Sequence, residues 1–499
     1  MSRLDRIPWS LELHTLARRH GARVAVDTGQ ATLTFAQLNG YAHALATRLL
    51  ADGVRAGTCV GIYLPNGIAA VWADYGVTIA GACMVHLNAA YTRDEIEWGM
   101  RLAPMTHIVT DRANAAAVQG LGARVVLCED IEPLADPAEL PAVDAAAWGR
   151  IIFSSGTTGK PKALVYDQGR RWLAAVMLRA VLPMTPGPGS RVLLMTPYVH
   201  GASMQARAWL DYGGTAVLLN GVQVDQVQAQ LQAGADAIFA PPTVLAKLAA
   251  ALPGRHFPRV RCMFTGTQTL TPALYAKARA LFGPCVRVTY GKSENVNPIT
   301  VLDPEAAEAV YAQPAEQQGA CLGWPAPGVE VRIGPGDEIH LRSQHMYIGH
   351  VDQDGFHPPD ADGWHRTGDL GRIDGQGRLW LLGRMADVIK SGGYKIYPDE
   401  IEAVLAGLED CGDICVAALP SDYWGEVIVA VAERAGPGWA RRAGERVREL
   451  ARYKHPRAHI EVAALPRNPQ GKISRRAVRD MVLEQYRLQD GPYPAVVPR

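Results

Sequence analysis

The sequence predicts an α/β protein: a large N-terminal domain of parallel sheets covered by helices, a small β-barrel-like part, and a small mobile α+β domain at the carboxyl end. Three observations carry this. From Thr34 to Tyr290, short apolar runs alternate with stretches of helical spacing, the pattern of strands joined by crossover helices. From about Gly319 to Leu382, short strands lie between Gly, Pro and Asp turns. After Arg384 a new and shorter alternation begins. The domains are therefore expected at 1–383 and 384–499.

In order, Thr34–Leu50 has helical apolar spacing and Cys59–Leu64 reads as a strand. Gly67–Val85 fits a buried helix running into a strand, Asp94–Leu102 a helix, and His107–Thr110 and Arg124–Cys128 strands. Pro133–Trp148, rich in Ala, Pro and acid, reads as a surface connection. Arg150–Phe153 is a short buried strand. Further on, strands are expected at Arg191–Met195, Thr215–Leu219, Ala237–Ala240, Val260–Phe264 and Val286–Tyr290, with helices at Ala202–Leu210, Val224–Leu231, Thr243–Ala251 and Pro272–Phe282. In the last unit, Pro398–Leu408 and Ala440–Arg452 read as helices, and Ile414–Ala418 and Val427–Ala432 as strands.

Composition narrows the function. Lys plus Arg is 50 and Asp plus Glu is 49, so no general field draws the chain to nucleic acid or membrane, and any anion site must be local. No apolar run approaches the roughly 18 residues of a membrane span, and polar, Arg-rich Met1–Val24 does not read as a signal peptide. The eight Cys are scattered without zinc spacing, which points to reduced core thiols and a cytoplasmic location.

Ser154-Ser155-Gly156-Thr157-Thr158-Gly159-Lys160-Pro161-Lys162 follows the strand at Phe153. Glycines permit a tight turn and close approach, successive N–H groups make an anion-binding concavity, and hydroxyls and lysines add donors and charge. The set suits a polyphosphate, although a flexible surface loop has the same composition. It is not the G-x-x-x-x-G-K-[ST] loop: its glycines are too close, and Pro161 stands where the hydroxyl belongs.

Tyr290-Gly291-Lys292-Ser293-Glu294 ends a strand with a ring able to stack on a base, a hydroxyl and a carboxylate able to hold Mg²⁺. Gly363 to Gly371 sets Asp369 in a glycine-flanked turn, where a carboxylate can accept two ribose hydroxyls or simply form the turn. Gly383-Arg384 leads into Lys390 and the Gly392-Gly393 turn, and Pro466 to Arg476 places Lys472 on a Gly-Pro loop.

The order and spacing of these stretches resemble the adenylate-forming superfamily of acyl-CoA synthetases, adenylation domains and luciferases, over about Thr34 to Arg476. The acyl- or aryl-CoA ligases are most similar. The resemblance implies that a carboxylic acid attacks the α-phosphate of ATP, pyrophosphate leaves, and the acyl-adenylate is passed to a thiol or amine with release of AMP. It implies that Ser154, Ser155, Gly156, Thr157, Thr158, Gly159 and Lys162 hold the outer phosphates. Tyr290 would face adenine, Ser293 the α-phosphate and Glu294 the Mg²⁺, with Asp369 and Arg384 on the ribose. Lys472 would bridge carboxylate and α-phosphate. For the second half-reaction the small domain would rotate and present Lys390 and the Gly392-Gly393 turn. Ala386 stands at the hinge position, where the family usually has Asp or Lys, so a charge there is lost.

His200, Gly201, Gly266, Thr267, Gln268, Gly291 and Lys292 fall where the family lines its acyl pocket. His200 suits a gating role or a capped core histidine, and Lys292 a substrate contact or a pairing with a neighbour. Thr267 and Gln268 make the pocket polar, pointing to an aromatic or medium-sized acid. Gly392, Gly393, Trp424, Arg457 and Arg475 are expected on the CoA side. CoA is the expected acceptor, and a carrier protein or an amine the alternative. An ADP-forming phosphotransferase is disfavoured by Pro161, and a non-catalytic nucleotide sensor by Glu294, Lys390 and Lys472.

Overall fold

The structure, a computed structural model, describes residues 5–154, 162–199, 201–266, 269–313, 319–467 and 472–499. Two large sheets organise the N-terminal part. The first has eight strands, in the order Gly355–His357, Gly349–Asp352, Lys162–Asp167, Trp148–Ser154, Cys83–Leu87, Cys59–Tyr63, His107–Thr110 and Arg124–Leu127. From Trp148–Ser154 onward its pairings are parallel. The second has seven strands, in the order Val286–Thr289, Cys262–Gly266, Ala237–Phe239, Arg191–Leu194, Thr215–Leu218, Val24–Asp27 and Thr32–Thr34. Only its last pairing is antiparallel.

Helices Phe35–Ala51 and Ile68–Ile79 share one apolar core with both sheets, from Val60 and Ile62 on one side to Val192 and Leu194 on the other. The first helix starts where its sequence says it should. Thr34 Oγ1 accepts from the Gln37 N–H, and Gln37 Oε1 accepts from the Thr34 N–H, closing a reciprocal cap. The two helices cross tightly at Gly76, where a Cβ would lie 2.8 Å from Leu45 Cδ2 and 2.9 Å from the Ala42 carbonyl oxygen.

The barrel-like part is an antiparallel six-stranded sheet, ordered Thr300–Val301, Ala320–Pro325, Leu379–Arg384, His365–Ile373, Glu338–Ser343 and Val329–Ile333. Residues 349–357, inside the stretch of short strands expected from about Gly319 to Leu382, instead form a hairpin that extends the edge of the first sheet. The last unit pairs Tyr394–Ile396, Ile389–Ser391, Gly425–Glu433 and Ile414–Ser421, and Ala458–Val462 joins Gly425–Glu433 in parallel.

Three features depart from the sequence reading. The Gly-rich stretch links antiparallel strands, Ser154 standing opposite Lys162. Helices at Trp9–His20 and Gln168–Ala180 were not expected. The connection 133–148 contains a short strand, Val143–Asp144, paired with Arg6–Ile7.

Replacing Gly76 by Ala gains helix propensity of about 1 kcal/mol but forces a methyl against a backbone oxygen, and overpacking of this kind costs about 1–3 kcal/mol. The contact wins, so Gly76→Ala lowers stability by about 1 kcal/mol, read from the urea midpoint at unchanged slope.

Candidate active site

Three strand ends of the second sheet converge on the site. Gly266 stands beside Thr289 in register, and a Cβ on Gly266 would lie 2.3 Å from the Thr289 carbonyl oxygen. A side chain there would push the strands apart. A Cβ on Gly201, at the start of the helix Gly201–Leu210, would lie 2.8 Å from the Phe239 ring. Gly291 meets Asn297, whose Oδ1 would be 3.1 Å from an added Cβ. Glycines thus allow the chain to pack closely where parallel strands end, the usual ligand position of such sheets.

The hub is Asp369, on strand His365–Ile373 just after Gly368, whose φ of 68° favours glycine. Asp369 is 4 % exposed. Its N–H donates to Thr367 Oγ1 at 3.0 Å, and that hydroxyl donates to the Ile339 carbonyl at 2.7 Å. The carboxylate accepts from the Tyr290 hydroxyl and from Lys292 Nζ at 3.0 Å. Lys292 also donates to the Thr367 carbonyl at 2.8 Å. Arg384, opposite Asp369 across the strand pair, brings Nε to 3.5 Å from the other carboxylate oxygen. Lys292 therefore pairs with Asp369, the second of the two roles its sequence position suggested.

Lys472 enters the same field from the C-terminal unit. Burial pushes its ammonium down to about 8, the Arg384 and Lys292 cations push the same way, and Asp369 opposes them. Two cations thus pair with one carboxylate and a third acts within their field, an excess of positive charge that fits a phosphate-bearing ligand.

Glu294 sits beside this hub. Its carbonyl accepts from the Tyr347 N–H at 3.0 Å, and the Ser293 carbonyl accepts from the Tyr166 hydroxyl at 2.6 Å. The Glu294 carboxylate acts on buried Tyr166, Tyr347 and His365: it adds to the upward push of burial on both phenols and opposes the downward push of burial on His365. An acid among hydroxyls and imidazole, next to the cation cluster, fits a hard divalent ion shared with phosphate oxygens. Ser154 closes its strand, and Lys162 Nζ lies 3.2 Å from His350 Nε2.

Lys390 is exposed on strand Ile389–Ser391, with its N–H donating to Glu426 Oε2 at 2.7 Å. Gly392 and Gly393 have φ of 56° and 84°, so the turn needs glycine. The Gly392 N–H donates to the Trp424 carbonyl at 2.9 Å, and the Arg457 guanidinium lies 4.2 Å over the Trp424 ring. Gly392, Trp424 and Arg457 form one face. Ala386 lies in the short turn Met385–Asp387 between the last strand of the barrel-like sheet and Ile389.

Arg475 requires a correction. It was expected to meet CoA phosphates, but it bonds Asp387, Asp399 Oδ1 at 2.8 Å and both oxygens of Glu402, and it donates to the Val416 carbonyl. A guanidinium claimed by three carboxylates is a strut of the C-terminal unit. Ser155, Gly156, Thr157, Thr158, Gly159, His200, Thr267 and Gln268 lie outside the described residues.

Thr367, Tyr166, Tyr347 and His365 were missed by sequence reasoning. Thr367 and His365 stand beside Asp369 in a stretch where only Asp369 was given a role. The two tyrosines come from strands and loops far away in sequence, with no local signal.

Cations facing a buried carboxylate where parallel strands end suit a nucleotide-binding enzyme. The chain belongs to the AMP-binding enzyme family: that family matches residues 13–343, and its C-terminal domain matches 400–472. A 2-succinylbenzoate–CoA ligase of Geobacillus sp. (strain WCH70) is 28 % identical over 480 residues, covering 92 % of this chain and 95 % of the relative. Among solved structures, the Bacillus subtilis o-succinylbenzoate CoA synthetase with its acyl-adenylate intermediate superposes with a TM-score of 0.82 at 26 % identity, covering 95 % of this chain and 98 % of the other. The same synthetase with ATP and magnesium gives 0.81 at 26 % identity, covering 95 % and 100 %. An anthranilate CoA ligase with anthranoyl-AMP shares the fold, with a TM-score of 0.82 at 19 % identity and coverage of 95 % and 97 %.

Two measurements check the assignment of charges. Arg475→Met strands buried Glu402 without its cation and lowers the stability of the C-terminal unit by about 3 kcal/mol at neutral pH. The deficit shrinks as the pH falls and the carboxylates protonate, which denaturant titrations at several pH values will read. Lys292→Met removes a cation that repels the Lys472 proton, so the Lys472 pKa rises. The alkaline limb of kcat/KM for adenylation, which reports free-enzyme groups, then moves to higher pH. A change of amplitude with an unmoved limb assigns Lys292 to holding Asp369 alone.

Proposed function

We propose that this protein is an AMP-forming acid–thiol ligase. With ATP and Mg²⁺ it joins a carboxylic acid to the α-phosphate, releases pyrophosphate, and transfers the acyl group to the thiol of CoA with release of AMP. The observation that carries the reading is the pairing of Lys292 and Arg384 with buried Asp369, with Lys472 within the electrostatic field of all three. Family membership and the CoA ligases among the relatives support it.

In this reading Asp369 and Arg384 take the ribose hydroxyls, Tyr290 walls the base, and Ser293 lies along the α-phosphate. Ser154 to Lys162 enclose the outer phosphates. Mg²⁺, when bound, neutralises phosphate charge, with Glu294 as its carboxylate ligand. Lys472 holds its charge between the attacking carboxylate and the α-phosphate, where negative charge develops, and a positioned donor of this kind is worth about two to three decades of rate. The acid lies toward Gly201, Gly266 and Gly291 and is aromatic or medium-sized, in line with the aryl acids named for the relatives.

Residues 384–499 move as a second body, pivoting at Ala386. The pivot withdraws Lys472 and brings up Lys390 and the Gly392-Gly393 turn, beside which pantetheine passes. Trp424 and Arg457 lie on the CoA side. The reaction belongs in the cytoplasm, where ATP and CoA are found.

The deciding experiment is ATP–pyrophosphate exchange across a panel of aryl and medium-chain acids, followed by CoA addition and assay for acyl-CoA. Exchange with transfer only to a carrier protein or an amine replaces CoA as acceptor, and ADP instead of AMP overturns adenylation. The two half-reactions separate by mutation. Lys472→Ala lowers exchange by at least about a hundredfold while thiol transfer from supplied acyl-adenylate persists. Gly393→Leu does the reverse, because the side chain enters the thiol path.

A further inference from the structure

The hairpin at the edge of the first sheet carries a cluster that the adenylation chemistry does not use. His350 and His357 stand directly opposite each other in the antiparallel pair Gly349–Asp352 and Gly355–His357, so their side chains share a face. Asp352 is two residues after His350 and shares it too. The imidazoles stack with centroids 5.1 Å apart. Asp352 Oδ1 accepts from His357 Nε2 at 2.8 Å, and Asp352 Oδ2 lies 3.7 Å from His350 Nε2. One donor atom from each residue falls within 4.8 Å of the others. Ligands about 2 Å from a tetrahedral ion sit about 3.3 Å apart, so small rotamer shifts bring all three atoms onto one centre.

The surroundings also suit a ligand set. Lys162 Nζ can only donate, so the His350 Nε2 it meets at 3.2 Å presents a lone pair. Asp352 Oδ1 also accepts from the Asp354 N–H at 2.9 Å. The side chains are 20 %, 27 % and 43 % exposed for His350, Asp352 and His357, which lets an ion enter and leaves a coordination position open to solvent.

We propose that His350, Asp352 and His357 form a site for a divalent transition-metal ion of the zinc class. Two imidazoles and one carboxylate favour Zn²⁺, Co²⁺ or Ni²⁺ and disfavour Mg²⁺, which takes oxygen ligands. Binding replaces the His357–Asp352 hydrogen bond, the imidazole N–H passing to Nδ1, and takes His350 Nε2 away from Lys162. The ion and the phosphate-loop lysine therefore compete for one nitrogen.

The test uses the intact chain, stripped with a chelator, without nucleotide. It is titrated with ZnCl₂ by calorimetry and with CoCl₂ by visible absorption. One ion per chain is expected, with cobalt bands that Zn²⁺ removes and Mg²⁺ does not. His357→Ala, a substitution at a half-exposed site, weakens binding by at least about tenfold. Lys162→Ala tightens it, because a competing and repelling ammonium is gone. An isotherm unchanged in His357→Ala, or no uptake by the parent chain, overturns the proposal. Circular dichroism of both variants excludes unfolding as the cause.

Discussion

A single buried carboxylate holds the site together. Asp369 sits at 4 % exposure among partners from separate parts of the chain: Tyr290 and Lys292 from the turn after a parallel strand and Arg384 from the neighbouring antiparallel strand, with Lys472 of the C-terminal unit within its electrostatic field. A buried carboxylate needs partners. Here the partners exceed it in charge, so the cluster is satisfied as an acid and unsatisfied as an anion site. The barrel-like sheet has value to the site mainly as the rigid body that sets Asp369 and Arg384 in register, and Thr367 locks the turn that aims the carboxylate.

The C-terminal unit is stiffened by the opposite arrangement. Around Arg475 the carboxylates outnumber the cation, and Asp387, Asp399 and Glu402 are drawn from the turn after the third sheet and from the helix Pro398–Leu405. Asp387 is one residue beyond Ala386 and three beyond Arg384. The ion pair therefore ties the chain to the C-terminal body almost immediately after it leaves the nucleotide site. Any pivot is confined to the two or three residues between, and Ala386, with no side-chain partner to lose, is compatible with such a pivot.

Much of this was legible in the sequence because the motifs are local. Strand-then-turn stretches such as Val286–Glu294 declare both their geometry and their chemistry within nine residues, and the helix Phe35–Ala51 shows itself in its apolar spacing. What was not legible depends on distant pairing. Lys162–Asp167 returns as a strand antiparallel to Trp148–Ser154, a choice made by tertiary contact across a stretch whose composition reads as a loop. Arg475 looked like a surface cation beside Lys472, since nothing in a basic run shows that three acids from about 75 to 90 positions earlier close over it. Tyr166 and Tyr347 reach Glu294 in the same way, through topology.

The two lysines at the ends of the proposed pivot sit in contrasting environments, and the contrast has an energetic reading. Lys472 is in a site where burial and two neighbouring cations disfavour its charge, whereas Lys390 is exposed. Docking of the C-terminal unit in this arrangement thus costs electrostatic free energy in the free protein. Negative charge at the cluster offsets that cost, since a phosphate satisfies Lys292, Arg384 and Lys472 together.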